Sequence, residues 1–105
     1  MNTIKKIQEW YYSQCDEDWK HQYGVSITNL DNPGWSVKID LEDTDLEDTK
    51  FKQVSYGIGK EAEDSGDNWL ICNVKNKSFI ASGGPFKLDE ILQIFLRDRL
   101  FLHIL

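Results

Sequence analysis

Apolar positions along this chain switch from helical spacing to strict alternation and back again. Over residues 3–15, Ile4, Ile7 and Tyr11 recur at i, i+3 and i+7 with Trp10 beside them, and Lys5, Lys6, Gln8, Glu9 and Ser13 lie elsewhere on the wheel. That spacing predicts an amphipathic helix, ended by Asp16-Glu17-Asp18. Over 23–29, Tyr23, Val25 and Ile27 alternate with Gly24, Ser26 and Thr28; over 35–41, Trp35, Val37, Ile39 and Leu41 alternate with Ser36, Lys38 and Asp40. A period of two predicts half-buried strands. Asn32-Pro33-Gly34 lies between them. Proline presets φ at the first corner of a type II turn and glycine accepts positive φ at the second, so a hairpin is expected. Val54, Tyr56 and Ile58 suggest a third strand, and 69–74 and 78–82 two more, joined at Asn76-Lys77. After Gly83-Gly84-Pro85, Leu88, Ile91, Leu92, Phe95 and Leu96 form the stripe of a second helix over about 88–102, with Asp89 and Glu90 where the helix dipole favours them. The order is α-β-β-β-β-β-α. Short strands without helical crossovers imply an α+β fold, an antiparallel sheet of about five strands with both helices packed on it.

A length of 105 residues suits one domain, 1–105. Twelve Lys and Arg against 18 Asp and Glu leave a net charge of −6. An acidic surface disfavours nucleic acid and anionic membranes and favours a basic protein partner. Cys15 and Cys72 make no CxxC pair, and Lys5-Lys6 is not followed by the apolar run of a secretory signal. No stretch reaches the ~18 apolar residues of a membrane helix. These features predict a cytoplasmic protein with reduced thiols.

Catalytic and cofactor patterns are weak. Gly57-x-Gly59-x-x-Ala62 follows a strand, but Glu61, Glu63 and Asp64 would oppose a pyrophosphate there, and Gly66 interrupts a helix. Asp43-x-Asp45-x-Glu47 begins like a calcium loop, yet Asp48 and Val54 stand where such a loop has its glycine and its bidentate glutamate. Cys15, Asp18 and His21 cluster at a helix end without an identifiable oxyanion hole. The expectation is therefore no catalytic residues, no cofactor and no metal site.

Two acidic loops remain. Glu42, Asp43, Asp45, Glu47 and Asp48 crowd one loop, and Glu61, Glu63, Asp64 and Asp67 the next. Flanking one strand, they could form a continuous negative surface that steers a basic partner, although a charge run by itself usually serves solubility. Trp19, outside both periodic patterns, and Tyr12 are candidate aromatic anchors. The apolar tail 100–105 either packs on the sheet or supports a homo-oligomer.

Ile7-Gln8-Glu9-Trp10-Tyr11, Pro33-Gly34-Trp35, Gly83-Gly84-Pro85 and Leu88-Asp89-Glu90-Ile91-Leu92, in this order and spacing, resemble the immunity protein 53 family of bacterial polymorphic-toxin systems. The resemblance spans about residues 4–96. It implies an α+β, non-enzymatic immunity protein that binds a cognate secreted toxin in the cytoplasm. The acidic loops would then meet Lys and Arg of the toxin and occlude its active site or substrate path. A nuclease fits best, because a phosphate-binding cleft is basic. The alternatives are a small acidic ligand- or calcium-binding module and a self-associating structural subunit.

Overall fold

Five strands form an antiparallel sheet with one helix before it in sequence and one after it. The computed structural model describes residues 2–15, 23–59 and 66–104, with side chains as far as Arg97. The elements are α1 (Thr3–Gln14), β1 (Val25–Leu30), β2 (Gly34–Asp40), β3 (Val54–Tyr56), β4 (Leu70–Lys75), β5 (Ser78–Gly83) and α2 (Leu88–Ile104). The strand order is β1-β2-β5-β4-β3, so β1 and β3 are the outer strands. This is the predicted α+β order.

Residues directly opposite in an antiparallel pair share a face. The register pairs Val37 with Ala81 and Ile39 with Phe79, then Ala81 with Cys72 and Phe79 with Val74. All but the half-buried Val74 are buried, which defines the helix-covered face. Against it Ile91, Leu92, Phe95 and Leu96 of α2 and Ile7 and Trp10 of α1 complete the core. Trp10, Phe95, Phe79 and Phe51 stack edge to face in sequence, with centroids 5.0, 5.3 and 5.7 Å apart. That chain of rings ties both helices, the sheet and the segment before β3 into one unit, and each contact adds about 1 kcal/mol beyond its buried area.

Several local expectations change. On α1, Thr3, Ile7 and Trp10 are buried, whereas Ile4 and Tyr11 are exposed. The ring contact of Trp10 with Phe95 sets the rotation of the helix and moves Tyr11 to the rim. Asn2 caps α1 by accepting a 2.9 Å hydrogen bond from the Lys5 amide. The β1–β2 hairpin forms, but not through a type II turn. The Asn32–Pro33 peptide is cis, and Gly34, without a left-handed φ, is already the first residue of β2. Glycine is required there because a Cβ would strike the Gly83 carbonyl oxygen. β3 stops at Tyr56, before Ile58, because Gly57 takes a φ of 69°. Asn76 and Lys77 have φ of 52° and 59°, the paired left-handed conformation of a two-residue type I′ hairpin. The backbone of α2 runs on to Ile104, and the side chains of the tail lie outside the described residues.

Candidate functional site

The loop from Leu41 to Lys50 is a run of turns pinned to the core at two places. Leu41 and Leu46 are buried, and backbone bonds link Thr44 N to Leu41 O, Glu47 N to Thr44 O and Thr49 N to Leu46 O. The Thr44 hydroxyl donates to Leu41 O at 2.6 Å and accepts from Leu46 N at 3.1 Å. The Leu41 amide donates to Lys77 O at 2.8 Å, which fastens the loop to the β4–β5 turn.

Three of the five carboxylates are engaged by residues far away in sequence. Trp10 Nε1 donates to Asp45 Oδ1 at 3.1 Å, and the Asp45 amide donates to Gln14 Oε1 at 3.2 Å. The Tyr23 hydroxyl donates to Glu42, and that bond raises its pKa to about 12, with desolvation next. Because the neutral phenol is the favoured form, this contribution to stability is present below the ordinary tyrosine value of 10.0 and is lost as pH rises through about 12. Lys77 Nζ lies 3.1 Å from Glu47 Oε1. The Lys77 ammonium, helped by the Asp43 amide, lowers the Glu47 pKa, and Glu47 raises that of Lys77. Asp43 and Asp48 are exposed, and neither side chain has a bonding partner among the described residues. Asp43 holds a φ of 62°, a conformation aspartate tolerates better than most residues.

The structure therefore gathers Glu42, Asp43, Asp45, Glu47 and Asp48 on one end of the sheet. Beside them is the last part of α1, where Tyr12 is 80% exposed. Asp67 is not part of this group. It lies against Gly84, whose Cβ position is blocked by the Asp67 carbonyl oxygen. Gly84 follows Gly83, which pairs with Leu70 and Trp35 at the opposite end from the Asp40–Ser78 and Lys75–Ser78 pairs. Six residues of strand, roughly 20 Å, separate the two ends. The expected continuous surface joining both loops fails for Asp67 because the loops are rooted at opposite ends. Glu61, Glu63, Asp64 and Trp19 lie outside the described residues.

Sequence spacing missed the residues that organise this surface. Trp10, Tyr23 and Lys77 reach their carboxylates across 35, 19 and 30 residues, and no local pattern signals such pairings. Asp40 was missed as well: it accepts from the Gly24 amide at 2.9 Å and the Ser78 hydroxyl at 3.2 Å.

Other chemistry finds little support. Burial pushes the Cys72 thiol up to about 12, so it is a core residue and not a thiolate nucleophile. Cys15 is half-buried at the end of α1; Asp18 and His21 lie outside the described residues. Among the described residues no group of three or more His, Cys, Asp or Glu could hold a metal ion, and no helix is long and apolar enough to cross a membrane.

Compared with known families, the chain matches the model described as immunity protein 53 over residues 4–99. No curated protein and no solved structure matches it significantly.

Proposed function

The chain belongs to the immunity protein 53 family, and from that premise we propose that it binds a cognate toxin in the cytoplasm and neutralises it by covering its active site or substrate path. The family match over residues 4–99 carries this reading. The contact surface is the carboxylate-bearing end of the sheet. Asp43 and Asp48 are its uncommitted charges, Glu42, Asp45 and Glu47 are its anchored ones, and Tyr12 is an aromatic anchor on the adjoining helix. The toxin face that fits is basic, and a nuclease cleft has that character. Inhibition of this kind needs no catalytic group and no cofactor. Trp19, Glu61, Glu63 and Asp64 extend the candidate contact set, whereas Asp67, at the far end of the sheet, falls outside it.

The test is co-expression with the toxin encoded beside this protein, in cells that the toxin otherwise kills, followed by isolation of the complex. Rescue with a one-to-one complex is the expected result; no rescue and no complex would overturn the immunity reading. The electrostatic part is tested separately with a double variant, Asp43→Asn and Asp48→Lys. Asparagine keeps the tolerance for left-handed φ at position 43. Affinity should fall about tenfold at low salt, chiefly through slower association, with an unchanged melting temperature. Unchanged affinity and salt dependence would place the contact elsewhere while leaving the immunity function standing.

A further inference from the structure

The sheet ends at β3, and a groove of about 450 Å³, open to solvent, runs between this strand and α2. Residues 51–55 form one wall, and Ile94 and Arg97 of α2 form the other. At its far end the Tyr56 hydroxyl donates to Glu90 at 2.8 Å, which holds the start of α2 over the strand.

Three properties converge in this groove. β3 pairs only with β4, and among the described residues the backbone of 51–56 makes no hydrogen bond on its other side. Half-buried Phe51 and Val54 supply an apolar surface, to which Ile94, only 5% exposed, adds its edge. Lys52 and Arg97 supply positive charge on a chain whose net charge is −6. Both are exposed, and neither forms an ion pair among the described residues, whereas Lys38, Lys77 and Lys87 each have a carboxylate within 3.9 Å. A free strand edge beside a helix, with apolar and charged positions between them, is how peptides are taken up by strand addition.

We propose that this groove binds an extended segment of a partner protein carrying an apolar residue followed two positions later by Asp or Glu, added to β3 as a sixth strand. Side chains at i and i+2 of an extended chain share a face about 6.6 Å apart. Ile94 and Arg97 are about 4.5 Å apart along their helix axis, and the long Arg97 side chain covers the difference. The apolar side chain lies against Val54 and Ile94, and the carboxylate meets Arg97 with Lys52 nearby. Charge selects against a second copy of the same strand, because a lysine on an edge opposes pairing with itself. This groove adjoins the carboxylate-bearing loop at Phe51 but uses other residues, and it does not depend on the toxin reading.

The test needs only the isolated protein and two peptides: acetyl-Ser-Thr-Val-Thr-Glu-Thr-Ser-amide, and the same peptide with Lys in place of Glu. Backbone amide shifts are followed by NMR to about 5 mM peptide, a range that captures weak binding. Saturable shifts confined to residues 51–56 and 94–97 are expected with the Glu peptide. Arg97→Gln should weaken that binding about threefold to fivefold, as for an exposed ion pair, and the Lys peptide should bind less than either. Arg97 is exposed, so its replacement leaves the core intact; Lys52→Gln is the second variant and should act in the same direction. The proposal is overturned by an absence of shifts, by shifts on β1 instead, by equal response to the two peptides, or by indifference to both variants.

Discussion

Where β2 begins and β5 finishes, backbones touch; at the opposite end of the same sheet, side chains hold a loop in place. At the first end Gly34 abuts the Gly83 carbonyl, Gly84 abuts the Asp67 carbonyl, and Gly84 N donates to Trp69 O at 3.0 Å. Trp35 Nε1 donates to Pro85 O at 3.0 Å and closes the arrangement. Yielding there is costly, because the atoms closest to Gly34 and Gly84 are main chain. At the second end the carboxylates themselves are held by single polar bonds from Trp10, Tyr23 and Lys77 and stay wholly or partly in water. Substitution at the first end should therefore act on stability, and at the second end mainly on charge.

The largest expected effect comes from Gly84→Ala or Gly34→Ala. Each added methyl meets a backbone carbonyl, and relief requires the loop or strand to shift. Overpacking of this kind costs about 2 to 3 kcal/mol, read as a lowered denaturant midpoint with an unchanged slope. A neutral result would mean that the two ends are equally pliable, and the contrast would collapse.

Asp45→Ala should cost about 1 kcal/mol, because it removes an acceptor from the indole N–H of a buried tryptophan. Asp48→Ala should stay within about 0.5 kcal/mol, as expected for an exposed position without a partner. Chemical denaturation of both variants sharpens the comparison: equal losses would mean that the loop is held by its total charge and not by the Trp10 bond.

The sequence motifs lie mostly at the rigid end, which explains what could be read from the chain. Pro33-Gly34-Trp35 and Gly83-Gly84-Pro85 are 50 residues apart from Trp35 to Pro85, yet they meet through the Trp35–Pro85 bond. Both were visible as turn punctuation, and with the alternation of β1 and β2 they made the strand order in sequence legible. Their meeting was not legible, because it depends on which strands pair. The same limit applies to the acidic loops: composition marked both, but only the register shows that they are rooted at opposite ends. The groove beside β3 left no signal, because Lys52 and Arg97 look like ordinary surface charges until the sheet order makes β3 an outer strand.

The smallest effect is a pH dependence at the loop end. Lys77 and the Asp43 amide stabilise the ionised form of Glu47, so its folded pKa lies below the ordinary 4.5. A depressed carboxylate pKa means that the unfolded chain takes up the proton first. The contribution of Glu47 is thus complete above about 4.5 and disappears as pH falls through the folded value. Lys77 bounds the other side: its raised pKa keeps the contribution intact below 10.5 and removes it as pH climbs past that value. Melting curves of the wild type and Glu47→Gln should therefore differ between these limits and converge at acid pH, with the difference shrinking in high salt because the pair is partly exposed. A constant gap across the acid range would mean that Glu47 acts through packing, and the loop end would then resemble the backbone-packed end more than its bonds suggest.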